Sequence, residues 1–158
     1  MICSALLVGS SGFGYPPPIG LQADDAPDPA AVPGHPGRIM IVEDDYMVAL
    51  SNEWALTDAG FEVVATVASG EEALVAAAQV QPDLVLMDIR LAGSMDGIDA
   101  ALPLRSLGIR CVFASANSDP GTVTRSEAAE PLGWIRKPFT DMALVATVRN
   151  AMGRLRGT

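Results

Sequence analysis

Three short, uninterrupted apolar runs, Ile39-Met40-Ile41-Val42, Leu84-Val85-Leu86-Met87 and Cys111-Val112-Phe113-Ala114, are separated by stretches long enough to hold helices. A strand that is apolar at every position must be covered on both faces, and helices crossing over both sides of a parallel sheet provide that cover. Strand-like segments at 61–67 and at Trp134-Ile135-Arg136 complete five strand–helix units. They predict an α/β fold with a doubly wound, five-stranded parallel sheet. The first helix is expected to follow Glu43-Asp44-Asp45 and close at Gly60, with Val48, Ala55, Leu56 and Ala59 facing the sheet. The second should run from Ser69 to about Gln81, where Pro82 stops it. The third starts near Asp96-Gly97 and is kinked or shortened by Pro103. The last two are placed between Asp119 and Glu130 and from Thr140 to about Arg154. Cys111, inside an apolar strand, reads as an inert buried thiol.

Residues 1–37 have a different texture: no Lys or Arg, three Asp, and concentrated Pro and Gly. They read as a disordered tail ahead of a domain at 38–158. Within the tail, Leu6-Leu7-Val8-Gly9-Ser10-Ser11-Gly12-Phe13-Gly14 looks like a strand entering a phosphate-binding glycine loop. Such a loop delivers its phosphate to a helix N-terminus, and here Pro16-Pro17-Pro18 follow instead. His35, among prolines and glycines, has no neighbour at metal-ligand spacing.

With 49% hydrophobic and 18% charged residues the chain has enough apolar surface to fold. A net charge of −9 repels a phosphate backbone, so nucleic acid is not an expected partner. Two distant cysteines, Cys3 and Cys111, offer no disulfide framework, and no apolar run approaches the roughly 18 residues of a membrane span. A cytoplasmic protein without membrane contact is expected.

Open α/β sheets place their ligand crevice at the carboxyl ends of the strands. There the chain sets Glu43, Asp44 and Asp45 after the first strand, Asp88 after the third, Ser115 after the fourth and Lys137-Pro138 after the fifth. Carboxylates converging in one crevice are costly to ionise together unless a divalent cation and a lysine compensate them, so the set calls for Mg²⁺ or Mn²⁺. Hard oxygen ligands, an ammonium and a hydroxyl suit a phosphoryl group handled by positioning and charge neutralisation.

At these residues, residues 38–158 resemble a receiver domain of the two-component response-regulator family, of the stand-alone type. The matching segments are Ile39-Met40-Ile41-Val42-Glu43-Asp44-Asp45, Leu84-Val85-Leu86-Met87-Asp88-Ile89-Arg90-Leu91 with Met95-Asp96-Gly97, Val112-Phe113-Ala114-Ser115-Ala116, and Gly133-Trp134-Ile135-Arg136-Lys137-Pro138-Phe139. The resemblance implies a flavodoxin-like (βα)5 fold and a phosphorylation-activated switch rather than a conventional enzyme. Asp88 is then the phosphoacceptor, assisted by Lys137 and Ser115. Glu43, Asp44, Asp88 and the backbone carbonyl of Arg90 hold the metal, and Ser115 and Trp134 form the switch pair. The Lys137–Pro138 bond is implied to be cis. Asn117, two residues after Ser115, is expected from its position to border the site. The implied donors are a sensor histidine kinase or a histidine phosphotransfer protein. Because only a few residues follow the last helix, output is expected by contact with an unknown downstream protein.

On the first helix, Met47, Leu50 and Trp54 fall at i, i+3 and i+7 on a second face. They form either a partner-docking patch or a set in which Trp54 folds back over the sheet edge, and the resemblance favours docking. An aspartyl-nucleophile phosphatase would place an acid two residues after Asp88, where Arg90 stands. A nicotinamide oxidoreductase would carry glycines where Glu43-Asp44-Asp45 stand. The remaining rival is a phosphorylation-independent interaction module on the same fold.

Overall fold

In a computed structural model the chain divides into two units, Met1–Gly34 and His35–Thr158. The structure describes residues 36–116 and 119–157. The glycine-loop segment, Cys3, His35 and Asn117 lie outside the described residues, as does most of the expected tail. The second unit is built from β1 (Arg38–Val42), α1 (Tyr46–Asp58), β2 (Glu62–Val67), α2 (Gly70–Val80), β3 (Leu84–Asp88), α3 (Gly97–Ser106), β4 (Arg110–Ser115), α4 (Pro120–Glu127), β5 (Gly133–Arg136) and α5 (Asp141–Arg156). All strand pairs are parallel and the order is β2-β1-β3-β4-β5, the flavodoxin-like winding.

Side chains alternate across each central strand, so one strand feeds two cores. Met40, Val42, Val85, Met87, Cys111 and Phe113 pack on one face with Ala73 and Ala77 of α2 and with Ile98, Ala101 and Leu104 of α3. Ile39, Ile41, Leu84, Leu86, Val112 and Ala114 pack on the other with Leu56 of α1 and with Leu144, Val148, Ala151 and Met152 of α5. Truncating a side chain as buried as Leu56 costs about 2–5 kcal/mol.

Each helix starts at a side-chain cap: Asp45, Ser69, Asp96, Asp119 and Thr140. The ends depart from expectation for local reasons. Helix α1 buries Ala49, Asn52 and Leu56, so of the expected stripe only Leu56 is fully buried; Val48, Ala55 and Ala59 are half-buried. Helix α3 runs through Pro103 and ends three residues later, ahead of Gly108 at φ +81°. Helix α4 stops at Glu127, short of Glu130, which takes φ 46° before Pro131, where the proline ring disfavours continued helix. Gly37, expected in the tail, is buried. A Cβ there would lie 2.8 Å from Met152 Cε, and its carbonyl accepts the Glu62 amide at 3.0 Å. Among the described residues no helix is long and apolar enough to cross a membrane.

Candidate functional site

Because every strand runs the same way, Glu43, Asp88, Ser115 and Lys137 arrive together at one end of the sheet. Asp88 is the last residue of β3, flanked by β1 and β4, and is 7% exposed; Glu43, one residue past β1, is 5% exposed. The Lys137 ammonium bridges them, donating to Glu43 Oε2 at 2.5 Å and to Asp88 Oδ2 at 2.8 Å. The Arg90 amide donates to Asp88 Oδ1 at 2.9 Å, which fixes the carboxylate plane from the opposite side. Carboxylate oxygens of Glu43, Asp44 and Asp88 lie within 4.8 Å of one another.

The acidic run after β1 divides its labour. Asp45 caps α1, its Oδ1 accepting the amides of Met47 and Val48. Asp44 is exposed, and its Oδ2 accepts the Ala92 amide at 3.1 Å, which ties the loop after β3 to the end of β1. Glu43 turns inward. Its burial pushes the carboxyl above the usual range against the hydrogen bond from Lys137, and the charge of Asp88 pushes the same way. Burial works against the charge of Lys137, but its hydrogen bonds to Asp88 and Glu43 outweigh that and hold the ammonium above its ordinary pKa.

Ser115 ends β4 and is buried, and its carbonyl accepts the Lys137 amide at 2.9 Å, so the hydroxyl-bearing and lysine-bearing strands are pinned together. The Lys137–Pro138 bond is cis. Trp134 is half-buried on β5 with its ring centroid 5.2 Å from that of Phe113, at 51° between planes. Arg90 projects an exposed side chain. On α1, Met47 and Trp54 are 68% and 71% exposed and Leu50 is half-buried.

One contributor was visible in the sequence only as part of a motif. Gly97 opens α3 directly against the backbone of Asp88, and a Cβ there would stand 2.0 Å from the Asp88 carbonyl oxygen. Nothing in its sequence neighbourhood distinguishes that close approach from an ordinary glycine at a helix start.

Comparison with known proteins agrees with this geometry. The sequence pattern of the response regulator receiver domain matches residues 39–149. The transcriptional regulatory protein PdtaR of Mycobacterium tuberculosis (strain ATCC 25618 / H37Rv) is 33% identical over 122 residues, which are 77% of this chain and 59% of PdtaR. The DNA-binding response regulator MtrA of Mycobacterium leprae (strain TN) is 36% identical over 118 residues, 74% of this chain and 52% of MtrA. The chain thus spans between half and three-fifths of the length of these relatives. Since one of them is DNA-binding, the expectation that this chain avoids nucleic acid rests on its charge alone. Among solved structures, the signal receiver domain of a modulated diguanylate cyclase from Desulfovibrio desulfuricans G20 superposes with a TM-score of 0.72 at 28% identity, covering 77% of this chain and 97% of that one. With that match over residues 39–149, and with its acids and lysine gathered at the carboxyl end of a 2-1-3-4-5 sheet, the chain belongs to the response regulator receiver domain family.

Proposed function

We propose that this chain is a phosphorylation-activated switch in which Asp88 accepts a phosphoryl group from a phosphohistidine in a Mg²⁺-dependent reaction, with output by protein contact. The observation that carries this reading is the Lys137 ammonium held between Asp88 and Glu43 beside three clustered carboxylates. One ammonium does not balance three carboxylates, and their hard oxygen donors suit Mg²⁺ or Mn²⁺. Glu43, Asp44, Asp88 and the Arg90 carbonyl would hold the cation. When bound it would neutralise charge on the phosphoryl oxygens and on the carboxylates around them.

In the transfer an Asp88 oxygen attacks phosphorus in line. The new O–P bond forms as the N–P bond of the donor breaks, and its electron pair returns to the imidazole nitrogen, which takes a proton from water. Lys137 exchanges its hydrogen bond from Asp88 Oδ2 to a phosphoryl oxygen, and the Ser115 hydroxyl supplies a further donor to the new dianion. Moving Ser115 toward that group displaces the end of β4 and frees space into which Trp134 can turn. A sensor histidine kinase or a histidine phosphotransfer protein would dock on Met47, Leu50 and Trp54 of α1, a face that leads from the crevice at Met47 to the α5 side at Trp54.

Radiolabelled acetyl phosphate with Mg²⁺ tests the assignment. Wild type acquires label, Asp88→Asn acquires none, and full labelling of Asp88→Asn would overturn it.

A further inference from the structure

The loop from β3 to α3, residues 89–96, borders the acidic crevice and is held from two flanks. On one flank the Ala92 amide donates to Asp44 Oδ2 at 3.1 Å. On the other the Ser94 hydroxyl donates to Glu71 Oε1, in the first turn of α2, at 2.5 Å. Gly93 stands between them at φ +129°, a conformation that side-chain-bearing residues rarely adopt, and this turn lets the loop give its amide to one acid and its hydroxyl to the other. Met95 seats on the same helix start: a Cβ at Gly70 would lie 3.0 Å from Met95 Cγ and 3.1 Å from its Sδ. The bond from Ser94 holds the Glu71 carboxyl below its ordinary value, so the acceptor is a charged one.

A glutamate in the first turn of a helix ordinarily serves the helix itself. Here that end is already capped by its neighbours. Ser69 Oγ accepts the Glu72 amide at 3.2 Å and Glu72 Oε2 accepts the Ala68 amide at 3.0 Å, a reciprocal box that leaves the Glu71 carboxylate to the loop. Asp44 is exposed, so the direction of its carboxylate depends on the amide that the loop presents to it. We infer that Glu71 is a positioning residue for the divalent cation: by holding Ser94 it sets the loop that orients Asp44 and carries the Arg90 carbonyl. The inference rests on the reading of Glu43, Asp44, Asp88 and that carbonyl as the groups that hold the cation. Hydrogen bonds outside the ligand set govern metal affinity by fixing the ligands, and losing one ordinary bond from such a chain changes the affinity about fivefold.

The test is a titration of the full chain with Mn²⁺, the free ion read by electron paramagnetic resonance, for wild type, Ser94→Ala, Glu71→Ala, Glu71→Gln and the double variant Ser94→Ala/Glu71→Ala. Ser94→Ala and Glu71→Ala should each bind Mn²⁺ about fivefold more weakly, and the double variant no more weakly than either, because all three lose the same bond. Glu71→Gln keeps an oxygen for the Ser94 hydroxyl and should stay within about twofold of wild type. A general effect of charge would instead weaken Glu71→Gln as much as Glu71→Ala and leave Ser94→Ala unchanged. Wild-type affinity in Ser94→Ala, equal losses in Glu71→Gln and Glu71→Ala, or additive losses in the double variant overturns the proposal. If Glu71→Ala does not fold, Ser94→Ala and Glu71→Gln decide together. A wild type that binds no Mn²⁺ overturns the metal reading itself, a failure distinct from that of the Glu71 contact.

Discussion

Gly97 has no room for a side chain. The atom that a Cβ would strike is a backbone oxygen, and backbone cannot swing aside as a flexible side chain can. Gly97→Ala must therefore part the start of α3 from the end of β3, and the same displacement unseats Asp88. The expected result is a loss of about 1–3 kcal/mol in unfolding free energy, as for other overpacked sites, together with slower labelling by acetyl phosphate. Wild-type stability and labelling would show that α3 can shift without moving Asp88. Asp44 poses a different question, because its carboxylate also receives the Ala92 amide. Asp44→Asn keeps an oxygen for that amide and removes the charge, so weaker Mg²⁺ binding is expected in a tryptophan-fluorescence titration. An unchanged midpoint would reduce Asp44 to an anchor for the loop. The sequence order of acids, hydroxyl and lysine at strand ends made the crevice legible, because chain direction alone delivers strand ends to one place. The division of Glu43, Asp44 and Asp45 into lysine partner, loop anchor and helix cap was not legible, since it depends on side-chain direction within a single turn.

At the scale of elements, strands were easier to read than helices. A run such as Leu84-Val85-Leu86-Met87 has one interpretation, whereas α1 carries apolar residues nearly all round and offers several faces of similar merit. The sheet accepts the face bearing Ala49, Asn52 and Leu56, small enough at two positions to let the helix close on β1 and β2, and a polar Asn52 inside is what periodicity hides. The same choice turns Met47 and Trp54 to solvent, Met47 at the Lys137 end of the helix and Trp54 two turns further along beside Met142 and Arg149 of α5; under the docking proposal the exposed Trp54 is the anchor. Trp54→Ala should slow phosphotransfer from a phosphohistidine protein by about thirtyfold, the effect of losing an anchor contribution of roughly 2 kcal/mol, while labelling by acetyl phosphate stays near wild type. Equal losses with both donors would assign Trp54 to the fold instead. Helix α3 makes the converse point. Pro103 forbids one backbone hydrogen bond, yet Ile98, Ala101 and Leu104 bury enough apolar surface on the sheet to keep three further residues helical.

The molecule as a whole can be interrogated at Cys111, which sits on β4 opposite Val85 of β3 and is 1% exposed. Burial pushes its thiol up to about 12, because a thiolate there would place charge inside a core shared by α2 and α3. An unfolded chain has an ordinary thiol that ionises near pH 8.5, so above that pH the unfolded state releases a proton that the native state keeps. The stabilising contribution is fully present below the unfolded value and is lost as pH rises toward about 12, at up to about 1.4 kcal/mol per pH unit. Urea unfolding between pH 8 and 10 should accordingly show a steeper fall in stability for wild type than for Cys111→Ala, which is less stable at neutral pH but has no thiol to titrate. Parallel slopes would mean that Cys111 ionises as readily in the native state as in the unfolded one. A second observable follows from the same burial. In a Cys3→Ser background a thiol reagent at pH 8 should label Cys111 only through opening of the sheet. Beryllofluoride with Mg²⁺, binding the native state at the strand ends, should then slow that labelling in proportion to ligand concentration over Kd. Labelling that is fast and indifferent to ligand would place the opening in a local fluctuation at β4, decoupled from the site where Asp88 and Ser115 end their strands.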